Sequence, residues 1–99
     1  MDKLKFAAAQ INTRACDIAG NISKIEDFWA RAEAQNVDLM VTPEQSISGY
    51  PLEDMAANPD VLAASKKGLN YLVEKSKEFK TAILVGLPEK DEQGKIYNA

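Results

Sequence analysis

The sequence predicts an α/β fold in the order β-α-β-α-β-β, and three observations point there. Residues 4–11, 37–42 and 81–87 form apolar runs of strand length, rich in Ala, Val, Ile and Leu. The two stretches between them repeat apolar residues at three- and four-residue steps, the period of a helix with one buried face. The first helical stretch also runs into the second strand with almost no linker, as a crossover connection does.

The first strand is Leu4 to Ile11, and its continuous apolarity predicts burial on both faces. A loop from Asn12 to Gly20 follows. Asn21 then reads as the N-cap of a helix whose apolar stripe is Ile22, Ile25, Phe28, Trp29 and Ala32. Glu26 and Asp27 are placed near the helix start, where negative charge is favoured, and the helix ends near Asn36. Val37 to Thr42 is the second strand, parallel to the first. Residues 43–58 form a long loop, with a short turn at Leu52 to Met55. Asn58 and Pro59 have the chemistry of an N-cap followed by the first helical residue. The second helix carries Leu62, Leu69, Leu72, Val73 and Ser76 as its stripe, and Gly68 weakens it by about 1 kcal/mol relative to alanine. Thr81 to Leu87 is a third buried strand, ended by Pro88. Residues 91–95 make a turn, and Ile96 to Ala99 begin a strand that closes a hairpin. Successive right-handed crossovers place the three long strands side by side, with both helices on one face.

The chain ends inside a strand signal, where a domain boundary would ordinarily be polar and flexible. Residues 1–99 therefore read as the N-terminal portion of a single larger domain. At net charge −3, with lysines interspersed among acids, the sequence selects for neither nucleic acid nor an anionic membrane. No run approaches the ~20 apolar residues of a membrane span. Residues 1–9 faintly resemble a secretory leader, but the apolar stretch is too short and Gln10 and Asn12 follow at once. A single cysteine, Cys16, forms no internal disulfide and fits a reducing, cytoplasmic setting. With no histidine, Ser-His and Cys-His catalytic pairs are excluded and no metal site is expected. Carboxylate, lysine and thiol chemistry remain.

Thr42-Pro43-Glu44 stands where the second strand ends, and in open α/β sheets ligands bind at the carboxyl ends of strands. A carboxylate held there by a stiff proline and buried beside the sheet would make a usable base. Position alone favours an ordinary solvated loop acid or a cap on a backbone amide. Ser48-Gly49-Tyr50-Pro51 adds a tight backbone point beside it. Cys16 has no base near it in sequence and reads as an incidental loop thiol.

Four motifs in register resemble the nitrilase, or carbon–nitrogen hydrolase, superfamily. Phe6-Ala7-Ala8-Ala9-Gln10-Ile11-Asn12 with Asp17-Ile18-Ala19-Gly20-Asn21 is similar to the family's opening strand and its Gly-Asp-x-x-Gly-Asn loop. Val37 to Glu44 resembles the strand that ends in Pro-Glu. Gly49-Tyr50-Pro51-Leu52-Glu53-Asp54-Met55 resembles the form found in the glutaminase domains of glutamine-dependent NAD synthetases. Val85-Gly86-Leu87-Pro88-Glu89 and Ile96-Tyr97-Asn98-Ala99 match the later strand and hairpin. The match covers essentially the whole chain.

The resemblance implies the first part of an α-β-β-α sandwich. It implies a Glu-Lys-Cys catalytic set in which Glu44 is the general base, with the lysine and the cysteine expected beyond Ala99. Tyr50 is the implied substrate-binding residue and glutamine the implied substrate. ATP and Mg are implied only for a separate synthetase domain, and the intact protein is expected to be a homo-oligomer. Two residues depart from the pattern. Cys16 stands where the family loop has glycine, and Gln45 where an apolar residue usually follows Pro-Glu. The alternatives are another amidase or carbamoylase of the superfamily, or a non-catalytic binding module built on the same half-fold.

Overall fold

A computed structural model describes residues 3–99; Met1 and Asp2 lie outside them. Strand β1 (Phe6–Ala8), strand β2 (Leu39–Val41) and strand β3 (Ala82–Leu84) form one sheet in the order β1-β2-β3. Both pairings are parallel, with Ala7 opposite Met40 and Met40 opposite Ile83. Helix α1 (Ile18–Ala34) connects β1 to β2, and helix α2 (Pro59–Lys75) precedes β3. The regular pairing is shorter than the apolar runs, but single bonds extend it, as from the Ala9 N–H to the Val41 carbonyl at 2.8 Å.

Both helices cover the same face, as the crossovers require. Ile22, Ile25 and Trp29 of α1 and Leu72 of α2 share one buried cluster with Met40, while Ala7 and Ile83 pack against it. The alternate strand residues point the other way. Phe6 is 62% exposed and Leu84 59%, so the expected burial on both faces is not met. Nothing among the described residues covers that second apolar face, whose rows are Phe6-Leu39-Ala82 and Ala8-Val41-Leu84.

Helix α1 starts earlier than its apolar stripe suggests. Its N-cap is Asp17, which accepts a hydrogen bond from the Gly20 N–H at 3.1 Å. Asn21 lies inside the helix, fully buried, and is no cap. Glu26 and Asp27 consequently sit mid-helix, where the favourable field of the N-terminus does not reach. The C-terminal end is as expected, with Asn36 in the left-handed region at φ 58°. Trp29 anchors the helix. It is fully buried, meets Phe79 edge-on at 4.1 Å between ring centroids, and donates its indole N–H to the Thr81 carbonyl at 2.8 Å.

Asn58 caps α2 as its chemistry predicts, accepting from the N–H groups of Asp60 and Val61, with Pro59 next. The buried stripe is Val61, Ser65, Gly68 and Leu72, whereas Val73 is 55% exposed. Gly68 has a packing reason to be there. A Cβ on it would stand 3.2–3.3 Å from methyl groups of Ile18, Ile22 and Ile47, so its lack of a side chain lets α2 lie close to α1.

Pro88 opens a strand instead of ending one. Strand β4 (Pro88–Lys90) pairs antiparallel with strand β5 (Ile96–Asn98) in a separate ribbon, so the order becomes β-α-β-α-β-β-β. Leu87 and Ala99 exchange both backbone hydrogen bonds at 3.0 Å. Pro88, opposite Asn98, therefore falls at a position that does not use its N–H, and proline costs the ladder nothing.

Glu33, in the last turn of α1, holds the entry to β3. Its carboxylate accepts from the backbone N–H groups of Lys80 and of Thr81, the latter at 2.8 Å. These bonds, Lys80 first, favour the charged form and hold the carboxyl below its ordinary value. A lowered folded value stabilises the fold fully above about pH 4.5, the ordinary value, and that contribution is lost as pH falls through the folded one. Thermal melts of wild type and Glu33→Gln should therefore differ at neutral pH and converge on acidification. A gap independent of pH would contradict this role. Trp29→Phe leaves the Thr81 carbonyl unpaired beside a new void, and should cost about 2–4 kcal/mol in urea denaturation. A loss under about 1 kcal/mol would show the indole to be dispensable.

Candidate active site

The loop after β2 is fixed on three sides. Towards β3, the Thr42 hydroxyl donates to the Leu84 carbonyl at 2.7 Å, and Ser46 Oγ lies 2.7 Å from Thr42 Oγ1. With Thr42's proton committed, Ser46 is the donor of that pair. The Ile47 N–H donates to the Gly86 carbonyl at 3.0 Å. Gly86 permits this approach, since a Cβ there would stand 2.6 Å from the Gln45 nitrogen.

Towards the loop before α1, the Cys16 N–H donates to the Ser48 carbonyl at 2.8 Å. Gly49 has φ +87°, and a Cβ on it would stand 2.3 Å from the Arg14 carbonyl oxygen. Only glycine fits both demands. Towards α1, the Asn21 carboxamide donates to the Ile47 carbonyl at 3.1 Å. Ser46, Ile47 and Ser48 are all fully buried, so the strip between Glu44 and Tyr50 is part of the core.

That frame brings the two sequence-predicted residues together. Glu44 and Tyr50 line one hollow of about 400 Å³, with Pro43 beside them and Ile11, Asn12 and Thr13 opposite. The hollow lies where β1 and β2 end, the edge at which α/β sheets present their chemistry. Tyr50 is 60% exposed, and the peptide bond to Pro51 is cis. Glu44 is exposed, so the burial expected around its carboxylate is absent. The physical reason is that nothing among the described residues roofs this edge.

Asn12 and Thr13 escaped the sequence reading as site residues; they lie further beyond β1 than Pro43 and Glu44 lie beyond β2, so strand position gave no signal for them. Cys16 is exposed and does not line the hollow. It and Gln45 both occupy the left-handed region, at φ 66° and 51°. The two departures from the family pattern thus fall at backbone positions that disfavour side chains. Among the described residues, no three acidic or thiol groups gather as a metal would need, and no helix is long and apolar enough to cross a membrane.

Residues 5–99 match the carbon–nitrogen hydrolase family. The chain belongs to that family. A glutamine-dependent NAD(+) synthetase of Synechocystis is 35% identical over 95% of this chain and 18% of its own length. One of Thermotoga maritima is 31% identical over the whole chain and 17% of its own. The solved structure of such a synthetase from Acinetobacter baumannii, bound to ADP, superposes with a TM-score of 0.86 at 29% identity, covering 96% of this chain and 18% of that one. The chain thus spans less than a fifth of these relatives. The fold is that of part of a nitrilase-type domain, and the kinship supports a carbon–nitrogen hydrolase role.

The left-handed backbone at Cys16 predicts that Cys16→Gly stabilises the fold by about 1 kcal/mol, relief of strain outweighing the freer unfolded chain. Gly49→Ala should cost about 2 kcal/mol or more, because it adds strain and a backbone clash. Melting temperatures moving the opposite way in either variant would refute the described loop.

Proposed function

We propose that the intact protein hydrolyses the side-chain amide of glutamine and supplies the ammonia to ATP-dependent NAD synthesis from deamido-NAD, with Glu44 as general base. The observation that carries this reading is that Glu44 and Tyr50 line one hollow at the carboxyl edge of the sheet, in a chain similar along its length to glutamine-dependent NAD(+) synthetases.

Glu44 takes the proton of a cysteine thiol supplied from beyond residues 1–99, and the thiolate attacks the amide carbon. A lysine from the same region stabilises the oxyanion of the tetrahedral intermediate. The C–N bond breaks, the nitrogen receives the proton from Glu44 and leaves as ammonia, and a thioester remains. Glu44 then takes a proton from water, the hydroxide attacks the thioester, and the proton returns to the thiol as glutamate departs. Tyr50 contacts the substrate at the mouth. ATP and Mg are assigned to a separate synthetase domain, and the steps at Glu44 do not call on them. The intact protein is read as a cytoplasmic homo-oligomer. The bare apolar face of the sheet accords with a sandwich half awaiting its second layer.

The test is ammonia and glutamate release by the full-length gene product. Glu44→Gln should lower it by roughly 10⁴ or more, the scale seen when one member of an interdependent catalytic set is removed. Residues 1–99 alone should show no turnover, because Cys16 is their only thiol and does not line the hollow. Turnover by residues 1–99 that is lost in Cys16→Ala would overturn the scheme. Hydrolysis of another small amide in preference to glutamine would shift the reading to a general amidase.

A further inference from the structure

We propose that Asn21 is a positioning residue whose buried carboxamide locks the Glu44–Tyr50 wall of the hollow to the Asn12–Thr13 wall and so sets the distance between them. The proposal rests on the reading of Glu44 as the base.

Asn21 is fully buried in the first turns of α1, yet its side chain serves no amide of its own helix. Its Oδ1 accepts from the Arg14 N–H at 2.8 Å. Its Nδ2 donates to the Arg14 carbonyl at 2.9 Å and to the Ile47 carbonyl at 3.1 Å. Both amide protons and one acceptor site are therefore used. Arg14 directly follows Thr13 on one wall, and Ile47 lies midway between Glu44 and Tyr50 on the other. One rigid group thus reaches both walls at once.

The two walls are irregular backbone beyond the ends of β1 and β2, where the parallel ladder no longer sets their spacing. Two further contacts lie along the same seam, the hydrogen bond from the Cys16 N–H to the Ser48 carbonyl and the close approach of Gly49 to Arg14. Neither involves a side chain that could be exchanged without altering the backbone. Lys24 Nζ also donates to the Asn12 carbonyl at 2.6 Å, but it reaches that wall alone, whereas Asn21 bonds to both segments. Aspartate cannot replace it, because a carboxylate has no protons for the two carbonyls.

The experiment uses the full-length gene product and glutamine, with kcat, KM and the pH profile of kcat/KM referred to the folded fraction at the assay temperature. Asn21→Ala is expected to lower kcat per folded molecule about 10- to 100-fold, the scale of an ~1 Å misplacement of a reacting group, and to displace the acid limb of the pH profile. A merely structural asparagine would lower only the folded fraction, leaving kcat per folded molecule, KM and the pH profile at wild-type values, and that result overturns the proposal. If Asn21→Ala does not fold, Asn21→Ser, too short to reach Ile47, is read by the same criteria. Glu44→Gln separates the two ways of failing. Full activity in that variant overturns the reading of Glu44 as base, whereas its loss beside unaltered Asn21 variants overturns only the role given to Asn21.

Discussion

Three short strands running parallel cannot be joined by tight turns, so the chain must cross back over the sheet twice. With both crossovers of one hand, α1 and α2 are confined to one face and the strands all finish at one edge. That constraint buries Met40 and Trp29 together and leaves Phe6 and Leu84 bare. It also gathers Asn12, Thr13, Pro43 and Glu44 beside one hollow although the sequence separates them by some thirty residues. The site is a by-product of topology before any side chain in it is chosen.

What topology leaves loose, the loops tighten at a cost. Gly49 and Gly86 allow backbone-to-backbone approaches that any Cβ would prevent, while Cys16 and Gln45 hold side chains in the left-handed region. Strain of this kind persists only where surrounding contacts over-determine it. The supply of contacts is visible in the hydroxyl chain from Ser46 through Thr42 to Leu84 and in the bonds made by Asn21. A carboxylate that is itself exposed is thereby mounted beside a buried strip, Ser46 to Ser48, that is bonded to three neighbouring segments.

Sequence made most of this fold legible where the determining chemistry is local. Asn58 and Pro59 cap α2 because the partners lie two and three residues away. The stripe of α1 was readable because helical period is a short-range property. Asn21 was misassigned because its decisive partner, Ile47, is 26 residues distant, and a helical asparagine after glycine resembles a cap unless that contact is known. Pro88 was misread because its place in the ribbon depends on the pairing of Leu87 with Ala99. Gly68 looked like a defect because the methyl groups crowding it belong to α1 and to the loop after β2. At the hollow, the nearness of Glu44 and Tyr50 was legible from Pro43 and Gly49, while their expected roles came only from the family resemblance; Asn12 and Thr13 line the hollow from another segment and carried no mark of their own.

The chain holds one tryptophan, and it is the anchor of α1. Its indole is bonded to Thr81, just ahead of β3, at the edge of the sheet opposite the hollow. Ultraviolet emission from residues 1–99 is therefore a built-in optical probe of helix docking. It reddens when water reaches the indole as α1 lifts off, and it stays silent towards whatever enters beside Glu44.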